Sequence, residues 1–159
     1  MEIKLKVKRL VNDIRSKSHL TVATIADPSA RYNAEAGSDK TAEILRDISD
    51  AVSSAVQQCY RFMDSPGIDV ADDMMTLLDE GEVVFTFPGI GARRMDGKEK
   101  ALADKLHAIV VSLALQKYYL SVAQAELSKT YAVTAISGMQ ELEAMLRQKR
   151  PPKFLDLEL

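Results

Sequence analysis

KEKALADKLHAIVVSLALQKYYL, residues 98–120, decides the fold. Leu102, Leu106, Ile109, Val110 and Leu113 recur at steps of three and four, which places them on one face of an α-helix. Between Leu106 and Leu115 the other face is also poor in charge, with His107, Ala108, Val111, Ser112 and Ala114. A helix that is apolar nearly all round has to be covered on several sides. We expect it at the centre of a bundle, beginning at Asp96 or Gly97 and running past Tyr118, Tyr119 and Leu120. Gln124–Ser128 reads as a break, because two antiparallel helices need only a short connection. A final helix follows on Tyr131, Ala135, Ile136, Met139, Leu142, Met145 and Leu146. Arg147, Lys149 and Arg150 put positive charge at its C-terminal turn, where the helix dipole favours it, and Pro151-Pro152 stops it.

Upstream, Glu82–Phe87 (EVVFTF) is β-branched and aromatic and closes on Pro88-Gly89, the pattern of a strand. Its partner is open among Leu20–Ile25, a hairpin return over Ile90–Met95, and another copy of the chain. Thr41–Met63 carries Ile44, Leu45, Ile48, Val52, Ala55, Val56, Cys59, Phe62 and Met63 at helical spacing. Ser38 or Asp39 suits its N-cap, and Asp64-Ser65-Pro66-Gly67 ends it. Before it, His19–Gly37 has no helical period, and Ala30–Gly37 reads as an exposed loop. The N-terminus offers Ile3, Val7, Leu10, Val11 and Ile14 as the stripe of a helix ending near Lys17, although Ile3, Leu5 and Val7 also alternate as in a strand. The expected class is therefore mainly α: a bundle of about four helices with one short β-strand or hairpin insertion. One helical domain spans residues 1–152, and 153–159 form a tail.

Charge is segregated. Lys4, Lys8 and Arg9 lie near the N-terminus; Asp64, Asp69, Asp72, Asp73, Asp79, Glu80 and Glu82 follow without a Lys or Arg among them; Arg93, Arg94, Lys98 and Lys100 come next. The carboxylates lack the alternating spacing and distal Glu of a calcium loop, so no metal site is expected. Gly89-Ile90-Gly91 lacks the third glycine of a dinucleotide motif and is turn chemistry. His107 has no second His or Cys near it, and Cys59, on an apolar face, reads as a small buried hydrophobe. No catalytic residue and no cofactor are assigned, and we expect a protein that is not an enzyme. A net charge of −2 argues against a body built on phosphate contacts, leaving nucleic acid at most an indirect partner. A single Cys and the lack of a long apolar run point to a cytoplasmic protein without a membrane. The candidate protein-contact residues are Lys4, Lys8, Asp72, Asp73, Arg93 and Arg94, with Phe154, Leu155 and Leu157 of a tail that docks along an edge of the same chain or a neighbour.

The segments ALADKLHAIVVSLALQKYYL (101–120) and YAVTAISGMQELEAMLRQKRPP (131–152) resemble the C-terminal half of small helical proteins from tailed-phage and prophage structural gene clusters, of the head–tail connector (adaptor or head-completion) type. The resemblance implies virion assembly by self-association, with a ring as one form, and contact with portal or tail proteins. It places the protein in the host cytoplasm, or in the virion once assembled. Its acidic connection would then face the basic Lys4–Arg9 or Arg93–Lys100 surface of the next subunit. An intracellular helical protein-binding module, scaffold or regulatory, is the alternative.

Overall fold

The computed structural model describes residues 1–62, 67–68, 78–87 and 98–147. Within them the chain is mainly helical: β1 (Glu2–Lys6), α1 (Val7–Val22), α2 (Pro28–Ala34), a 3-10 turn (Ser38–Lys40), α3 (Thr41–Gln58), β2 (Gly67–Ile68), β3 (Glu82–Thr86), α4 (Glu99–Ser121) and α5 (Ala125–Arg147). The expected central helix is α4. It packs on α5, α3, α1 and β1, and it buries Leu106, His107 and every residue from Ile109 to Leu115, leaving only Ala108 of that run exposed.

The N-terminus departs from the expected helix over Ile3–Ile14. Residues 2–6 form a strand, antiparallel to β3, in the register Ile3↔Phe85 and Leu5↔Val83. Ile3 and Val7 fit both periods, but Leu5 fits only the period of two, and its burial with Ile3, Val83, Phe85 and Phe87 gives the sheet one buried face. Thus the partner of β3 is the start of the chain, with β2 on its other edge. Neither Leu20–Ile25 nor a second copy supplies β1's place, and Ile90–Met95 lies outside the described residues. The backbone continues the ladder at both ends, Val7 N–H donating to Gly81 O and Phe87 N–H to Met1 O, each at 2.9 Å.

α1 runs on to Val22 rather than ending near Lys17, so Leu20 and Val22 are helical and not extended. Its buried face is Val7, Leu10, Val11, Ile14, Ser18 and Val22. A serine at a core position interrupts the apolar stripe, yet Ser18 Oγ is satisfied there by accepting the Ala36 N–H at 2.8 Å. The stretch expected as loop contains α2. Asp27-Pro28 starts it: the Asp27 carboxylate accepts the Ser29 N–H at 3.0 Å, and Pro28 fills the first turn, where no N–H is needed.

α3 starts at Thr41 as expected, but neither Ser38 nor Asp39 caps it, because both are wound into the 3-10 turn. It ends at Gln58, and Ile44, Ile48, Ala51, Val52 and Ala55 face the core. The break between the last two helices comes earlier than Gln124–Ser128, at Val122–Gln124. Gln124 N–H reaches back to Tyr119 O at 2.8 Å and Ala123 takes φ 59°, a left-handed helix stop. Ser128 Oγ, buried, donates to Gln116 O at 3.0 Å and ties α5 to α4 across the turn. On α5 the core side is Ser128, Ala135, Met139, Leu142 and Leu146; Ile136, expected among them, is 53% exposed. No described helix is long and apolar enough to cross a membrane.

Candidate functional site

Three concavities among the described residues differ in chemistry. The largest of these three, about 390 Å³, is an open groove between α4 and α5. Its walls are Lys105, Ala108, Ile109 and Ser112 from α4, and Val133, Thr134, Ser137, Gly138 and Glu141 from α5. Small residues create it. Gly138 lets the helices approach so closely that an added Cβ would lie 3.0 Å from Ile109 Cγ1. Lys105 and Glu141 form an ion pair across one end. Beside the groove Val133 is 68% exposed, and Ile136 stands on the far flank of the same helix.

The second is a cleft of about 220 Å³ lined by Lys4, Leu5, Lys6, Arg9, Ala103, Asp104 and His107. His107, the histidine of the central helix, is buried and its Nε2 lies 2.6 Å from Asp13 Oδ2. A carboxylate only accepts, so Nε2 carries the proton, and Asp13 fixes the ring's orientation. Among the described residues no Ser or Cys lines this cleft. Lys4 pairs with Glu82 at 3.7 Å and Lys8 with Asp79 at 3.3 Å. Asp79 and Glu82, at the end of the acidic connection, thus meet Lys8 and Lys4 inside one chain. Exposed pairs of this kind contribute only up to ~1 kcal/mol each.

The third concavity, about 190 Å³, is lined by Tyr32, Asn33, Glu35, Gly37, Asp39 and Lys40. Lys40 organises it. Its ammonium donates to Asn33 O at 2.7 Å, Glu35 O at 3.0 Å and Tyr118 Oη at 2.9 Å, using all three protons. Tyr118 Oη in turn donates to Glu35 O at 2.8 Å, and burial pushes this phenol's pKa well up, so it remains a donor. His19 Nδ1 meets Glu35 Oε1 at 2.8 Å on the outside. The arrangement fastens the 25–40 segment to α4.

Two polar groups stand apart. Asp47 is 6% exposed, and its Oδ2 has no hydrogen-bond partner among the described residues. Burial chiefly raises its pKa; Asp50 and Glu43 add to that, while Arg46 and Lys117 oppose it. Cys59 is buried and its thiol is pushed up to about 11, again by burial first, which leaves almost no reactive thiolate at neutral pH.

Of the contact residues expected from sequence, Lys4 and Lys8 are placed on the sheet and at the head of α1. Asp72, Asp73, Arg93, Arg94, Phe154, Leu155 and Leu157 lie outside the described residues. Sequence reasoning missed the α4–α5 groove, although Ala108, Ser112, Ser137 and Gly138 were visible as small residues recurring at helical spacing on both helices. It also missed the Asp13–His107 and Lys40–Tyr118 contacts, which join residues 94 and 78 positions apart. Among the described residues no group of three or more His, Cys, Asp or Glu is placed to hold a metal ion. No protein-family model, curated protein or solved structure matches the chain.

Proposed function

We propose that this chain is a non-enzymatic assembly protein of the phage or prophage head–tail connector kind, which works by contact with its own copies and with portal or tail proteins. The observation that carries the proposal is the outer side of the α4–α5 hairpin. There an open groove and the exposed Val133 and Ile136 form a contact surface on two long, well-buttressed helices. These are the helices whose sequences resemble the connector type. Lys4 and Lys8 pair with Glu82 and Asp79 within the chain, which leaves these two less available to a neighbour. Sedimentation velocity from about 1 μM to about 200 μM, a range that brackets weak and moderate contacts, tests self-association. Association with rising concentration, or with an added portal protein, is the expected result; a monomer under both conditions contradicts it.

The same groove gives a second reading some support, namely a helical module that binds a peptide or helix of an unrelated partner. The two differ in a simple observable. A connector-type protein associates with itself, whereas a peptide-binding module stays monomeric until its partner is added.

A further inference from the structure

We infer that the outer face of α5 is a two-fold contact in which a second copy of this chain lies antiparallel against it. The inference rests on the self-association proposed above and names the surface responsible. No Asp, Glu, Lys or Arg occurs from Thr130 to Gln140, although Thr130, Val133, Ile136, Ser137 and Gln140 are all exposed. An uncharged, part-apolar face on a solvent-exposed helix is uncommon, and depletion of charge at the centre is the mark of an interface core. Charges flank this stretch instead, as Glu126 with Lys129 at 3.0 Å and Glu143 with Arg147 at 3.1 Å towards the two ends of α5, and as the Lys105–Glu141 pair at the groove.

The partner follows from complementarity. Val133 projects at the rim of the groove floored by Ala108 and Ser112, and Ile136 is exposed on the same helix away from that recess. One face therefore carries both a projection and a recess, as a self-matching two-fold contact requires. Charge sets the direction. Glu126 to Ile136 and Ser137 to Arg147 both span ten residues. An axis between Ile136 and Ser137 therefore brings Glu126 of each copy opposite Arg147 of the other. A parallel arrangement would set like ends together and align the helix dipoles unfavourably. A single helix face buries an area at the small end of specific interfaces, so the expected affinity is micromolar.

The test is sedimentation velocity on the full chain over the concentration range given above, with circular dichroism confirming that each variant is folded. The double variant Val133→Glu, Ile136→Glu changes exposed positions only and is expected to weaken the dimer by about tenfold or more. Glu126→Arg alone is expected to weaken it about threefold, and Glu126→Arg with Arg147→Glu to restore it. Ser137→Cys is expected to cross-link as a dimer under mild oxidation, since the native Cys59 is buried. A dimer unaffected by Val133→Glu, Ile136→Glu overturns this surface and leaves self-association standing. A weakened dimer without rescue by the charge swap, or without the Ser137→Cys cross-link, overturns the antiparallel arrangement. A wild-type monomer throughout overturns both this inference and the reading beneath it. Dimerisation that appears only when residues 153–159 are deleted shows that the chain's own tail occupies the face, and also overturns the proposal.

Discussion

The central helix α4 and the segment from Ile25 to Lys40 are both fixed in place, by opposite means. α4 is held by apolar burial on several sides, spread over many side chains that each contribute a little. The 25–40 segment offers the core little beyond Ala34 and Ala36, and it is held by a few directed bonds: Ser18 to Ala36, Asp27 to Ser29, and Lys40 to Asn33, Glu35 and Tyr118. Burial leaves a periodic trace in a sequence; a lysine that closes on two carbonyls leaves none. The difference also predicts how each region fails. Loss of one α4 contact is felt by the whole domain, whereas loss of Lys40 releases one segment first.

The largest effect is expected from Leu106→Asp. The side chain is fully buried, and an unpaired carboxylate there costs more than about 4 kcal/mol, enough to unfold a domain of ordinary stability. Loss of the helical signal in circular dichroism at 25 °C checks it; a folded variant would remove α4 from the centre of the account.

Next is Lys40→Met, which keeps the apolar stem and removes the ammonium. Two carbonyls lose a charged donor, at a cost of about 2 kcal/mol. Hydrogen exchange read residue by residue is expected to quicken across 25–40 before α4 is affected. Uniform loss of protection would mean that the two regions are not held separately.

A third change isolates burial of charge from burial of carbon. Asp47 has its pKa raised by the fold, so between the unfolded carboxyl value and the raised value the folded state binds more protons than the unfolded one. Stability therefore falls as pH rises through that window and remains lower above it. Asp47→Asn is expected to remove the slope and to gain about 1 kcal/mol at pH 7 by dispensing with a buried carboxylate whose Oδ2 has no hydrogen-bond partner among the described residues. Urea unfolding at several pH values checks both, and an unchanged slope would contradict the assignment.

The smallest effect concerns the turn that joins the hairpin. Ala123 holds φ 59°, a conformation that favours glycine, so Ala123→Gly is expected to stabilise by about 0.5 kcal/mol, read as a small rise in Tm.

These contrasts also explain what could be read in advance. α3, α4, α5 and β3 were legible because their apolar residues recur at the helix or strand period over many positions. The first strand was obscured because Ile3 and Val7 satisfy both periods and the paired residues of β3 lie some eighty positions away. α2 was obscured because Asp27-Pro28 marks a helix start as readily as a turn. Ile136 misled in another way: it continues an apolar pattern while facing outward. The groove itself was not legible, since a recess arises from two helices approaching over Gly138 and belongs to neither sequence alone.

The contact proposed for a second copy of this chain is the outer face of α5. Backbone amide NMR spectra recorded between about 20 μM and about 500 μM, on either side of a weak dissociation constant, test that directly. The account predicts concentration-dependent shifts concentrated at Thr130–Gln140 and around Ala108, with the 25–40 segment unmoved. Spectra that superimpose across the series, or shifts that fall on the sheet and α1 instead, would contradict it.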